Sequence, residues 1–274
     1  MGKIKAIFAD YDGTLLRSDD TVSDHTLNVI HEFMRRGGKF FLNTGRVGTS
    51  AIEAAKRYGL SEYVACCQGG VVYDIRSEQV VIENSFSPEL AREIMAWLEA
   101  DNTYYQIYPL TGGYCTERFT PYTDFYQKAC GKPAVILGQR VSKVVEEQDM
   151  RLIKILAVME DEDVEAFRMK AIARFGDRIK MGTSRKQPTF FEFNMPGSTK
   201  GYAMLKIAEM CGLSAEQCVS FGDQENDMSM IQAAGTGVAV ANAVPALKAV
   251  ADYVTLSNDE DGVAAYIEKF CLGD

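Results

Sequence analysis

Two aspartates one residue apart, Asp10 and Asp12, sit in the stretch FADYDGTLL and are followed by Gly13 and Thr14. In an extended chain, residues i and i+2 project to one side, so both carboxylates can face one pocket. Like charges held that close need a cation between them or a shared proton. A hard divalent ion with oxygen ligands, Mg²⁺ in the cytosol, supplies the first. Asp-Gly between apolar runs is also a hairpin signal, and the stretch alone does not decide between the two.

Three further stretches carry similar chemistry. Asn43-Thr44-Gly45-Arg46 ends an apolar run at the mouth of a helix, where a hydroxyl and unpaired N–H groups form an anion site; Thr44 as a plain N-cap is the alternative. Ser198-Thr199-Lys200-Gly201 places a lysine in a first helical turn, against the helix dipole, which a nearby anion or carboxylate would compensate. A solvated surface lysine is the alternative there. In Gly222-Asp223-Gln224-Glu225-Asn226-Asp227, Asp223 leaves a strand end as a metal ligand, with Asn226 and Asp227 in the following first turn as its support. Acid-rich capping explains Asp227 equally well and accounts poorly for Asp223.

Positioning these groups requires strands that end together. KIKAIFA (Lys3 to Ala9) reads as a buried strand, Ser23 as the N-cap of a helix that stops at Gly37-Gly38, and KFFLN as the next strand. A helix from near Val47 to Gly59 and the strand YVACC follow. The rhythm returns late, with a helix near Thr199–Cys211, strand CVSF, a helix near Asn226–Ala234, strand GVAV, a helix near Val244–Val250 and strand YVT. Strands alternating with helices imply an α/β class with a parallel sheet whose sites lie at the carboxyl ends of its strands. Between about Asn84 and Pro188 the character changes to a tyrosine-rich α+β order: a helix over 87–101, short strands, LIKILAVM, a helix over 163–175 and RIKMG. The expected division is 1–83 with 189–274 as the core and 84–188 as an insertion.

Composition narrows the partners. A net charge of −9 and a pI near 4.9 argue against a phosphate-backbone binder, so nucleic acid is not expected, and an anionic substrate must be met locally. Seven cysteines without a CxxC pair read as reduced cytosolic thiols, and the amino-terminal run reads as neither a signal peptide nor a membrane span. Cytoplasmic placement is expected; oligomeric state is not legible. His25 and His31 both fall on the first helix, so no Ser-His-Asp or Cys-His arrangement competes, and no GxxxxGK[ST] loop is present.

Taken together, DYDGTLL, NTGR, Lys200 and GDQEND resemble the four signature motifs of the haloacid dehalogenase superfamily. The tail, GDQENDMSMIQAAGTGVAVANAV with SNDEDGVA, resembles its Cof-type (subfamily IIB) sugar-phosphatase branch. The resemblance implies a Rossmann-like core with an inserted C2-type cap, and a Mg²⁺-dependent phosphatase of small phosphorylated metabolites such as sugar phosphates. It assigns Asp10 as the nucleophile that becomes an aspartyl-phosphate, and Asp12 as general acid and base with its backbone carbonyl on the metal. Lys200 is implied to offset charge, Asp223 to bind Mg²⁺ and Asp227 to support it, while Tyr11 (through its backbone N–H), Thr44, Gly45 and Asn226 hold the phosphoryl oxygens.

Dehalogenating members lack the second acid, which is present here as Asp12. Two departures stand out: Gln68-Gly69-Gly70 where many relatives have Asn-Gly-Ala, expected to alter a hinge or cap contact, and Gln224 where Asn is common, expected to change a supporting hydrogen bond. Arg118, Lys128, Lys132, Arg151 and Lys154 are candidates for a second anionic group, and the tyrosines serve either a sugar or their own core. A phosphohexomutase resembling phosphomannomutase and a non-catalytic sugar-phosphate sensor are the competing functions.

Overall fold

The four residues ahead of Asp10, Ala6–Ala9, are all buried, the pattern of a central parallel strand covered on both faces. The computed structural model describes residues 4–110, 112–185 and 187–273. Lys3, where the predicted strand began, lies outside them. In chain order the strands are β1 (Ala6–Ala9), β2 (Lys39–Leu42), β3 (Tyr63–Cys66), β4 (Val71–Asp74), β5 (Val80–Glu83), β6 (Tyr105–Pro109), β7 (Cys115–Thr116), β8 (Val135–Ile136), β9 (Leu152–Met159), β10 (Lys180–Arg185), β11 (Thr189–Asn194), β12 (Cys218–Gly222), β13 (Thr236–Ala239) and β14 (Tyr253–Val254). The helices are α1 (Asp24–Arg35), α2 (Gly48–Arg57), α3 (Pro88–Ala100), α4 (Pro121–Cys130), α5 (Val141–Glu147), α6 (Val164–Phe175), α7 (Lys200–Met210), α8 (Met228–Ala233), α9 (Pro245–Lys248) and α10 (Gly262–Phe270).

The chain divides into two units, Met1–Gly45 with Ala51–Val81 and Thr199–Asp274, and Arg46–Ser50 with Ile82–Ser198. The first holds a parallel sheet in the order β14-β13-β12-β1-β2. Ala9 of β1 lies in register with Phe221 of β12 and Leu42 of β2, so Asp10, Asn43 and Asp223 all leave the sheet at one edge. Two backbone bonds fix that edge, Asp10 N–H to the Phe221 carbonyl (3.0 Å) and Asn43 N–H to the Ala9 carbonyl (2.9 Å). Phe8 stacks on Phe41 across the strands at 4.9 Å, and Ser23 caps α1 by accepting from the Thr26 N–H at 3.0 Å.

The sheet does not continue as the repeating rhythm predicts. Among the described residues YVACC joins the β2 end of the sheet through an isolated bridge from Asn43 to Ala65, then turns back as an antiparallel pair with β4, Tyr63 opposite Asp74, and β5 adds a third strand.

The second unit carries a sheet in the order β10-β11-β9-β6-β7-β8. One face, with Ile107, Ile155, Phe191 and Phe193, packs under α3 and α6, where Trp97 lies 4.8 Å from Phe167 and 5.4 Å from Phe175. Alternation along the strands sends Gln106, Tyr108, Lys154 and Glu192 to the other face. There Lys154 Nζ donates to Glu192 Oε1 at 2.7 Å, both residues buried, and the Tyr108 hydroxyl donates to that of Tyr126.

The later boundary falls after Ser198 and not after 188, because β11 is paired with β9 along its whole length and with β10 from Phe190 to Asn194. Residues 189–198 therefore belong to the second unit. Entry and exit of this unit are tied together by Asn84, whose Nδ2 donates to the Pro196 carbonyl at 2.9 Å and to Ser198 Oγ at 3.0 Å.

Candidate active site

Asp10, Asp223 and Asp227 each offer a carboxylate oxygen within 4.8 Å of the others, and all three are buried. Lys200 closes the group. Its Nζ lies 2.7 Å from Asp10 Oδ1 and 2.6 Å from Asp227 Oδ1, and the side chain has no solvent exposure. A surface lysine is thereby ruled out, and the compensation expected for a cation in a first turn is supplied by two carboxylates. Thr199 starts α7 by accepting from the Tyr202 N–H at 3.1 Å, which puts Lys200 at its first position. Asn43 fixes that turn from β2, donating from Nδ2 to the Lys200 carbonyl at 2.7 Å.

Each acid has its own support. Thr14 Oγ1 donates to Asp223 Oδ1 at 2.8 Å, and Gln224 Nε2 donates to Asp223 Oδ2 at 3.1 Å. Asp227 Oδ2 accepts the N–H groups of Asp223 and Gln224, both at 3.0 Å, so it serves its own turn and Lys200 at once. Gly13 is required where it stands. Its φ is +76°, and a Cβ there would lie 2.7 Å from Asp223 Oδ2. The turn is held from outside by Asn242, whose Nδ2 donates to the Gly13 carbonyl at 2.7 Å.

Burial raises the Asp10 carboxyl well above its ordinary value, with Lys200 opposing and Asp227 and Asp223 adding to the rise. Asp223 is raised by burial too, against its bond from Thr14. For Lys200, burial alone acts downward, but Asp10 and Asp227 outweigh it and hold the ammonium protonated. Three ionised carboxylates against one ammonium leave two net negative charges, which one divalent cation cancels. The donors are all oxygens, as a hard cation requires. The residues therefore fit a divalent metal on chemistry and on charge.

The remaining expected site residues fall as follows. The Asp12 side chain is exposed and its carboxylate is not among the three clustered acids, so the two acids of the first motif occupy different surroundings. The Tyr11 ring is buried with its hydroxyl 3.1 Å from that of Tyr58, which leaves only its backbone for the site. Thr44 is fully buried, but α2 starts at Gly48, so Thr44 is not its N-cap and the helix-terminus argument for this loop fails. The Thr44 N–H is bonded to the Ala65 carbonyl at 2.9 Å. Asn226 is exposed and donates from Nδ2 to Gln68 Oε1 at 2.9 Å. Both histidines are on α1, where His31 Nε2 bonds the Tyr58 carbonyl at 2.8 Å.

Sequence reasoning missed Asn43, Thr14, Gln68 and Asn242 as supporting groups; Gln224, expected to change a supporting hydrogen bond, makes one to Asp223. All four lay inside or beside quoted motifs, but the partners of Asn43 and Thr14 are 157 and 209 positions away, and no local pattern reveals such pairs. In the second unit, Lys154 is committed to Glu192, Lys128 to Asp124 at 2.8 Å and Arg151 to Glu83, whereas Arg118 lines a cleft of ≈ 610 Å³ with Tyr104 and Tyr122. Tyr105, Tyr108, Tyr114 and Tyr126 are buried in the unit's own packing.

The family model of the haloacid dehalogenase-like hydrolases matches residues 7–267. The chain is 26% identical to phosphatase YwpJ of Bacillus subtilis, covering 95% of this chain and 98% of that protein. It is 28% identical to the 5-amino-6-(5-phospho-D-ribitylamino)uracil phosphatase YcsE of the same organism, over 98% and 96% of the two chains. Among solved structures, that of TM0651 from Thermotoga maritima superimposes with a TM-score of 0.87 at 27% identity, covering 97% of each chain. The chain belongs to the haloacid dehalogenase-like hydrolases and is a phosphatase of that family.

Proposed function

We propose that this hydrolase is a Mg²⁺-dependent phosphatase of small phosphorylated metabolites, sugar phosphates in particular, working through a phosphoryl group carried on Asp10. The observation that supports this most directly is Lys200 held between Asp10 and Asp227 inside a buried cluster of three acids. Asp10, Asp223 and the Asp12 backbone carbonyl would hold the metal, with Asp227 in support. When bound, Mg²⁺ supplies the positive charge that lets an anionic nucleophile approach an anionic phosphoryl group.

The chain's own residues do the rest. An Asp10 oxygen attacks phosphorus, the bond to the substrate alcohol breaks, and Asp12 gives that alcohol its proton. Asp12 then takes a proton from water, whose oxygen attacks phosphorus and returns Asp10 as a free carboxylate with release of inorganic phosphate. An exposed Asp12 suits the exchange of protons with alcohol and water, while the buried Asp10 has the Lys200 ammonium beside it to favour its ionised form against the effect of burial. The Tyr11 and Gly45 backbones, the Thr44 hydroxyl and the Asn226 amide surround the phosphoryl oxygens, and Lys200 offsets their charge.

The phosphorylated ribityl compound named for YcsE and the tail's Cof-type pattern support a sugar-derived leaving group. Seven free cysteines support a reducing cytoplasm. Among the described residues no helix is long and apolar enough to cross a membrane. The test is phosphate release from an aryl phosphate and a sugar-phosphate panel, with Mg²⁺ or chelator, for wild type and Asp10→Asn. Metal-dependent release that the substitution abolishes supports the reading. Folded wild type that releases nothing refutes it, and interconversion of hexose phosphates or ligand-shifted melting without release would favour a mutase or a sensor.

A further inference from the structure

The turn after β3 is conformationally costly. Cys67 and Gln68 stand consecutively at φ of +49° and +60°, a region that side-chain-bearing residues visit rarely and that Gln favours less than Gly or Asn. Such outliers persist only where their surroundings fix them. Here the surroundings are the loops assigned to the phosphoryl group. The Gln68 N–H donates to the Thr44 carbonyl at 3.2 Å, and Gln68 Oε1 accepts from Asn226 Nδ2 at 2.9 Å. Gln68 Nε2 lies over Gly45, 2.6 Å from where a Cβ on that residue would be. The next residue, Gly69, has φ +86° and approaches the Thr199 carbonyl so closely that a Cβ would sit 2.2 Å from it, at the start of the helix that carries Lys200. One strained turn thus touches the second, third and fourth motifs together.

We propose that Gln68 is a positioning residue: with its backbone N–H on the Thr44 carbonyl, its side chain over Gly45 and its amide oxygen on Asn226, it holds both loops at the spacing a phosphoryl group needs. The inference rests on the phosphatase reading and adds a residue to it. It explains why the chain keeps an unfavourable backbone conformation at a residue with no assigned chemical task. Misplacing a phosphoryl-binding group by about 1 Å costs up to roughly 100-fold in rate, so a reach shortened by one methylene is sufficient to register.

The test compares Gln68→Gly, Gln68→Asn and Asn226→Ala with wild type, and combines Gln68→Gly with Asn226→Ala. Gly and Asn both accept the positive φ, so neither adds backbone strain, and neither reaches Asn226. The expected result is kcat on an aryl phosphate lowered roughly 10- to 100-fold in both Gln68 variants, with Tm held at the wild-type value. The double variant should lose less than the two single losses combined, as for two residues that share a contact. Wild-type turnover in the Gln68 variants, additive losses in the double variant, or a fall in Tm that parallels the loss of rate would each overturn the proposal. Calorimetric titration with inorganic phosphate separates the two readings. If wild type turns nothing over but binds phosphate more tightly than Gln68→Gly, the hydrolase reading fails and the positioning role stands; equal affinity, or no phosphate binding by wild type, overturns the role.

Discussion

Replacing Lys200 by Met removes one charge and little volume, and its consequence can be worked from two distances. At an effective dielectric of about 20, each contact, 2.7 Å to Asp10 and 2.6 Å to Asp227, is worth about 6 kcal/mol of Coulomb attraction. Loss of both is offset by no longer burying an ammonium, several kcal/mol, and by proton uptake on Asp10, whose carboxyl is already raised by burial. The net expected is the roughly 3–5 kcal/mol typical of a buried ion pair that loses one member, a large part of a domain's stability. The assay is urea unfolding of metal-free protein at pH 7.5 and again near pH 5. Destabilisation should shrink at the lower pH, where the orphaned carboxylates are more readily neutralised. A variant within 1 kcal/mol of wild type at pH 7.5, or one whose deficit grows on acidification, would refute the view that Lys200 is what makes the cluster tolerable without metal.

Gly13→Ala should lose at least about 1 kcal/mol, from φ +76° and a Cβ 2.7 Å from Asp223 Oδ2, and should require more Mg²⁺ for half-maximal activity; a wild-type melt and metal titration would count against the packing argument. Stability should depend on pH through Asp10 in a definite sense. Its folded carboxyl titrates above the unfolded value of 3.8, so the folded state holds the extra proton and metal-free stability from this group falls as pH rises through that window. Comparing wild type with Asp10→Asn isolates the effect, which should move in favour of the variant from pH 4 to 7 as urea midpoints. For wild type, added Mg²⁺ should raise Tm more at pH 7.5 than at pH 5, because protons compete for the same oxygens; equal shifts at both would contradict this.

What the sequence made legible was the part written in local patterns. Asp10 and Asp223 at strand ends, Lys200 in a first turn and the Ser23 cap each follow from neighbours a few residues away, and LIKILAVM is a strand over the full range its run predicts. The hairpin of β3 and β4 escaped because YVACC reads as one more strand of a repeating strand-helix rhythm, which leaves the run Val71–Asp74 after it unassigned. β11 was placed with the core because it stands next to the lysine motif in the chain, whereas its partners lie 30 or more residues earlier on β9. The Glu192–Lys154 pair shows why: a single acid in TFFEFN has no meaning until register supplies the lysine. α10 follows the signature tail and was not assigned, although GVAAYIEKF keeps an apolar stripe that is buried at Val263, Ala264 and Ile267.

The bond from Asn84 to both Pro196 and Ser198 bears on how this chain can change its length. Because the ends of the inserted unit meet each other, the parallel sheet experiences the folded insertion as a short link between β5 and α7, and the entropy of closing the long segment is borne within the insertion itself. Residues can be added to or removed from the inserted unit without stretching the strands that carry Asp10 and Asp223. The two halves of the chain are therefore free to diverge at different rates, one bound to a fixed reaction and the other open to new shapes.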